Sequence, residues 1–254
     1  MEKDAPVPMN ERFRIGRLSA DVLRLTEAVD RIEALVEAGK GGSVFTPNVD
    51  HVVNAERLPA FARAYARADL SLADGMPLVW VSRLRGPALP ERVAGSDLAS
   101  PLLQRAAARR WRVFLFGGTD GAAEIAAQKL RGDGVDVVGA ISPQVTSEGV
   151  APSESVDVLR AARPQLLLVG LGSPKQELFI DAIRGRLPAT VAFACGAVID
   201  FLAGKVPRAP RWMARAGLEW AYRLGREPRR LWRRYLVNDP AFVGIVARDW
   251  IRRR

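Results

Sequence analysis

Six short apolar runs punctuate the first two hundred residues: Ser43–Phe45, Leu70–Ala73, Val113–Phe116, Val135–Val138, Leu166–Val169 and Val191–Ala194. Between them lie stretches with helical spacing, among them Leu58–Ala68, Leu98–Arg109, Ala122–Leu130 and Glu177–Arg184. Runs this short and mostly apolar, separated by helices, differ from the long alternating strands of a sheet with one wet face. They suit strands of a mostly parallel sheet whose two faces are both covered by helices. The expected class is therefore α/β, and in such sheets ligands bind at the carboxyl ends of the strands.

Those ends carry the unusual residues. Phe45 runs into Thr46-Pro47-Asn48, Ala73 into Asp74-Gly75-Met76-Pro77, and Phe116 into Gly117-Gly118-Thr119-Asp120. Val169 runs into Gly170-Leu171-Gly172-Ser173-Pro174-Lys175-Gln176-Glu177, and Ala194 into Cys195-Gly196-Ala197. Each turn exposes backbone N–H groups at a helix start, which suits a phosphate-bearing ligand. Each also suits an ordinary N-capped strand-to-helix turn. Neither dinucleotide nor Walker glycine spacing is present: the Gly170-Leu171-Gly172 pair is followed by Lys175 where the third glycine would stand. No D-x-D or H-E-x-x-H occurs, so the expected chemistry uses no metal and no cofactor.

The charge is asymmetric. The chain of 254 residues has a formal net charge of +10, and residues 205–254 hold 14 Lys/Arg against four Asp/Glu. Positions 1–204 are thus neutral. Four of the six tryptophans, Trp212, Trp220, Trp232 and Trp250, lie in the same last segment, which prolines at 207, 210, 228 and 240 cut into short helices. A neutral domain over 1–204 with a cationic, Trp/Arg-rich helical appendage over 205–254 calls for an anionic partner, either nucleic acid or a membrane surface. Indoles at headgroup level with arginines on phosphates favour the membrane. The apolar runs fall far short of the roughly 18 residues that span a bilayer, and the charged N-terminal segment has no signal-peptide core. A cytoplasmic protein, peripheral at the inner face of the membrane, is expected. The single cysteine, Cys195, rules out an internal disulfide and reads as a buried small residue rather than a nucleophile.

Taken together, TPNVDHV, ADGMPLVW, LPERVAGSDL, FLFGGTDG, VGLGSPKQE and RAPRWMARAGLEWAYRLGREPRRLWRRYL resemble, in order and spacing, the motifs of the WecB/TagA/CpsF glycosyltransferases. The resemblance runs from about Phe13 to about Phe242. It implies a Rossmann-like catalytic domain followed by a basic appendage. It also implies inverting, metal-independent transfer of a sugar (N-acetylmannosamine-type or its uronic acid) from a UDP-sugar donor to a polyprenyl-diphosphate-linked acceptor in cell-surface polysaccharide synthesis. By the same resemblance Asp74 is the catalytic base, and Thr46, Asn48, Arg92 and Gln176 line the substrate pocket. Pro47 stands where many members have a small or apolar residue, and Phe179 where many have tryptophan.

The residues themselves fit that chemistry. Inverting transfer needs one general base on the acceptor hydroxyl and a means of stabilising the departing diphosphate. Asp74 has the right type and place, although an aspartate before a glycine turn also serves as a helix N-cap. Gly118, Gly172 and Lys175 are candidate phosphate contacts at the other strand ends. Without a metal, arginine must meet the leaving charge. Arg92 is one candidate, its plainer reading being a structural ion pair; Arg208, Arg211, Arg215, Arg223, Arg230 and Arg234 of the appendage are others, for the leaving group or the membrane. His51, one turn past Asn48, has no second histidine to share a metal and reads as a satisfied or exposed helix residue. Asp97 and Asp120 read as helix caps. The competing classes are a basic-tailed nucleic-acid-binding protein, for which no helix-turn-helix or RNA-binding signature is present, and a nucleotide-cofactor oxidoreductase, which the missing fingerprint disfavours.

Overall fold

The computed structural model describes residues 11–207, 209, 210, 213, 219–226, 228–232 and 239–251. All six apolar runs are strands of one all-parallel sheet: β3 (Gly42–Phe45), β4 (Leu70–Ser71), β5 (Val113–Gly117), β6 (Val137–Ile141), β7 (Leu166–Gly170) and β8 (Val191–Ala194), in the order β4-β3-β8-β7-β5-β6. The expected mixed α/β class with a parallel sheet therefore holds.

The runs differ in extent: the one expected at Leu70–Ala73 is a strand only over Leu70–Ser71. The run expected at Val135–Val138 begins its strand at Val137, because the Gly134 and Val135 N–H groups still bond carbonyls of the preceding helix. Its far end extends to Ile141, which pairs with Phe116. A two-stranded antiparallel hairpin, β1 (Arg12–Ile15) and β2 (Leu18–Asp21), precedes the sheet and is an addition to the six runs. Its signal is present as Arg-Phe-Arg-Ile, whose apolar residues are buried while the arginines face out. Gly16, in the left-handed region at φ 56°, makes the turn. The hairpin docks beside the short edge strand through Asp21, which takes the Ser71 N–H at 2.7 Å and Arg12 at 2.8 Å.

Helices cover both faces. On one side lie α2 (Val49–Arg57), α3 (Pro59–Ala66) and α8 (Lys175–Ile183), enclosing Phe45, Val52, Phe61, Tyr65, Phe116 and Phe179. On the other lie α1 (Leu25–Ala38), α5 (Gly95–Arg109), α6 (Ala122–Gly132) and α9 (Val198–Ala203), over Ile32, Val44, Leu102, Trp111, Leu115 and Phe193. Strand residues alternate between these two cores, so Phe114 and Phe116 enter one while Val113 and Leu115 enter the other. That is why the strands read as mostly apolar runs. Phe179 is buried and stacks on Phe116 with ring centroids 4.4 Å apart, an aromatic pairing that a tryptophan at this position would have to share with more bulk.

Two further helices, α4 (Met76–Arg85) and α7 (Ser153–Ala162), complete the N-terminal part. Beyond it are α10 (Glu219–Arg226), α11 (Pro228–Trp232) and α12 (Ala241–Ile251). Pro228 opens α11, where its missing N–H costs nothing. The last helix packs back on the sheet domain: Phe242 and Ile245 are buried in the core that holds Phe13 and Val52. Arg248 grips Glu56 with two bonds of 2.9 Å, and the Gly16 N–H donates to Asp249 at 2.7 Å. Among the described residues no helix is long and apolar enough to cross a membrane.

Candidate active site

Strands β3 and β8 are neighbours, but the chain leaves them toward opposite faces: into α2 after β3, and into α9 after β8. Such a divergence is where a doubly wound sheet is expected to hold its ligand crevice, at the carboxyl ends of the two strands. Thr46 borders it, and the first turn of α5 closes over it. A β-carbon on Gly95 would stand 3.4 Å from Thr46 Oγ1 and 3.8 Å from the Cys195 carbonyl oxygen. The start of a 15-residue helix therefore lies at the crevice, with the partial positive charge of a helix N-terminus.

Asp74 is placed by backbone bonds. Its N–H donates to the Pro47 carbonyl at 2.8 Å, which fixes the loop after β4 against the TPN turn. Gly75, not Asp74, is the N-cap residue of α4. The returning loop is fastened to the same place, since the Val93 N–H donates to Ala73 at 2.8 Å and Glu91 accepts the Leu25 N–H at 2.7 Å. Arg92 is thereby delivered to Asp74, with Nη1 3.4 Å from Oδ1 and Nη2 2.6 Å from Asp97 Oδ2. Asp74 and Arg92 are both half-buried. Asp97, expected only as a cap, thus holds the guanidinium.

Asn48 caps α2 in a reciprocal arrangement with His51: the Asn48 N–H lies 3.3 Å from His51 Nδ1, while the Asn48 side chain accepts the His51 backbone N–H. His51 is buried, and its Nε2 lies 3.2 Å from Glu177 Oε1. Gln176 donates to that same oxygen at 2.9 Å and accepts the Gly196 N–H at 3.0 Å. Burial pushes the Tyr65 hydroxyl well above its ordinary range, reinforced by the negative charges of Glu177, Asp74 and Asp50. Burial likewise pushes the Cys195 thiol up to about 12.

Thr46, Asn48, Asp74, Arg92 and Gln176 are thus gathered around the ends of β3, β4 and β8. The remaining strand-end residues stand further along the edge. Gly118, at φ 85°, donates to the Gly170 carbonyl at 2.7 Å, and Asp200 accepts both the N–H and the hydroxyl of the adjacent Thr119. A carboxylate already occupies that turn. Gly172, at φ 73°, faces open space. Lys175 spends its ammonium on the Val145 carbonyl at 3.1 Å. Arg208, Arg211, Arg215 and Arg234 lie outside the described residues, as do the side chains of Arg223 and Arg230. The depression lined by Lys40, Gly41, Arg184 and Thr190 lies at the opposite, amino edge of the sheet.

Sequence reasoning missed Glu177 and undervalued His51. A signal existed: Gln176 and Glu177 fall on the helical stripe of Ile180 and Ile183, so a carboxylate on that buried face requires a partner.

The model of the glycosyl transferase WecG/TagA/CpsF family matches residues 13–254. The chain belongs to this family. It is a glycosyltransferase, and the resemblance carried by the strand-end motifs is borne out. Its similarity extends to named enzymes. It is 34% identical to the N-acetylglucosaminyldiphosphoundecaprenol N-acetyl-beta-D-mannosaminyltransferase of Bacillus spizizenii over 225 residues, 87% of this chain and 85% of that protein. It is 30% identical to the enzyme of the same name from Bacillus subtilis over 230 residues, covering 89% and 87% of the two chains. For a WecG/TagA/CpsF glycosyltransferase, the crevice between β3 and β8 is the candidate transfer site.

Proposed function

We propose that this glycosyltransferase moves an N-acetylmannosamine-type sugar from a UDP-sugar to N-acetylglucosamine carried on a polyprenyl diphosphate, with inversion and without a metal ion. The relatives' names support the sugar and the lipid-linked acceptor. The observation that carries the chemistry is Asp74: a half-exposed carboxylate at a strand end, fastened by its backbone to the TPN turn and facing a guanidinium.

In this reading Asp74 accepts the proton of the acceptor hydroxyl as that oxygen attacks the anomeric carbon from the side opposite the nucleotide. The bond from that carbon to the diphosphate oxygen breaks, and its electron pair leaves on UDP. One displacement inverts the configuration. Thr46, Asn48 and Gln176 orient the substrates by hydrogen bonds. Arg92 and the α5 N-terminus are positioned to meet negative charge, since preorganised donors stabilise it without reorganisation. Residues 1–204 form the catalytic domain and 205–254 the appendage, whose arginines and tryptophans hold the enzyme at an anionic inner membrane face and contribute further charge to the leaving group.

Incubation with a panel of UDP-sugars and a short-chain N-acetylglucosaminyl-diphospho-lipid, with the product identified by mass and its anomeric configuration by NMR, tests the reading. Retention of configuration would overturn the single displacement. The membrane role is tested by replacing the arginines at 208, 211, 215, 223, 230 and 234 with glutamine, which should weaken salt-sensitive binding to anionic vesicles. Deleting 205–254 is the poorer test, because it also withdraws Phe242 and Ile245 from the core.

A further inference from the structure

We propose that Glu177 and His51 form a positioning pair beneath the transfer site, whose task is to fix the orientation of Gln176 on one side and Asn48 on the other. The proposal rests on the reading of Gln176 and Asn48 as groups that contact substrate.

The pair is deeply enclosed: Glu177 is 0% exposed, Gln176 4% and His51 5%. A single carboxylate oxygen, Glu177 Oε1, accepts a bond from Gln176 Nε2 at 2.9 Å and lies 3.2 Å from His51 Nε2, a second polar contact. The first bond settles which way the Gln176 amide faces. Its oxygen accepts the Gly196 N–H at 3.0 Å, so turning the amide over would set oxygen against the carboxylate and N–H against N–H. Two repulsions would replace two bonds. The second contact aims the imidazole. With Nε2 directed at Glu177, Nδ1 lies 2.7 Å from Asn48 Oδ1 and 3.3 Å from the Asn48 backbone nitrogen, so it meets either the capping oxygen as a donor or the backbone N–H as an acceptor. A continuous chain of contacts thus joins the turns after β3, β7 and β8, and the candidate substrate groups stand at its ends.

Stability alone is a poor reason for such an arrangement. A buried carboxylate carries a large desolvation cost, and the second oxygen, Glu177 Oε2, is buried with no hydrogen-bond partner. Apolar replacement of buried ionic groups is often neutral or stabilising, whereas fixing geometry at a reacting centre needs side chains whose rotamers are themselves locked.

The test is a double-mutant cycle read in kcat/KM. Glu177→Ala and Gln176→Ala are each expected to lower kcat/KM by about tenfold or more, the scale of losing a buried hydrogen-bond partner. If Glu177 acts through Gln176, the double variant should be no worse than the poorer single one by more than about twofold. Glu177→Gln keeps an acceptor oxygen in place and should recover most of the loss. Fully multiplicative losses would show a general structural role and overturn the proposal, as would wild-type kcat/KM in Glu177→Ala beside an impaired Gln176→Ala. Wild-type activity in both Gln176→Ala and Asn48→Ala would instead remove the underlying site reading, and the proposal with it. Should Glu177→Ala fail to fold, His51→Gln paired with Asn48→Ala supplies the same cycle from the other end.

Discussion

Replacing Asp74 with asparagine separates chemistry from folding, and the structure allows both effects to be sized. The fold loses little. The backbone N–H of residue 74 keeps its bond to Pro47, and Gly75 remains the N-cap of α4. The substitution removes the 3.4 Å ion pair with Arg92, between side chains 28% and 14% exposed, while Arg92 retains its closer partner Asp97 at 2.6 Å. A partly solvated pair of that kind contributes about 1 kcal/mol or less. In a chain of this size the melting temperature should move by no more than about 2–4 °C. Removing a general base, by contrast, lowers turnover by about 100-fold or more. That corresponds to about 2.7 kcal/mol in the barrier. The assay is initial-rate product formation at saturating UDP-sugar and acceptor, beside a thermal melt of the same preparation. Turnover within about threefold of wild type, with folding intact, would refute the assignment of Asp74.

Other outcomes follow from contacts elsewhere. Because burial holds the Cys195 thiol up to about 12, iodoacetamide at pH 8 should leave the folded protein unlabelled and react once it is denatured. The linked stability is present below the ordinary thiol value near 9 and is lost as pH rises toward 12, so Cys195→Ala should flatten the alkaline limb of a melting-temperature profile. Glu56→Gln breaks the bidentate pair with Arg248 and should lower the melting temperature by about 2–4 °C, with hydrogen exchange rising first in α12. Transfer should survive excess EDTA; loss restored by Mn²⁺ or Mg²⁺ would show a metal requirement.

The sheet was legible because its strands, apart from the edge strand β6, are buried on both faces, so six short, mostly apolar runs announced six parallel strands. The hairpin escaped notice because its alternation spans only Arg12–Ile15 before the Gly16 turn. At the candidate site the strand-end motifs named Thr46, Asn48, Asp74, Arg92 and Gln176, and the structure gathers these around one crevice. What the sequence conceals is which charged and polar groups pair, whether five residues apart or more than a hundred. Asp97 reads as a cap until Arg92 is seen 2.6 Å away, and Asp200 as an ordinary helix residue until it closes the Thr119 turn, 81 residues earlier. His51 and Glu177 are 126 positions apart along the chain, and only the stacking of α2 and α8 on one face of the sheet makes them neighbours.

The return of α12 to the first hairpin alters what the basic segment is mechanically. Lys205 is held at one end, its N–H on the Asp200 carbonyl at 3.0 Å and its ammonium on the Asp120 backbone carbonyl. At the other, Asp249 and Arg248 are fastened to Gly16 and Glu56. The intervening residues are a span with two footings, not a streamer with one. The entropy of closing a span grows only with the logarithm of its length. In exchange, every group on it stays within reach of the domain at an effective concentration set by the span itself. Severing one peptide bond between the footings would therefore discard that concentration while removing no residue, and the charge count would be unchanged.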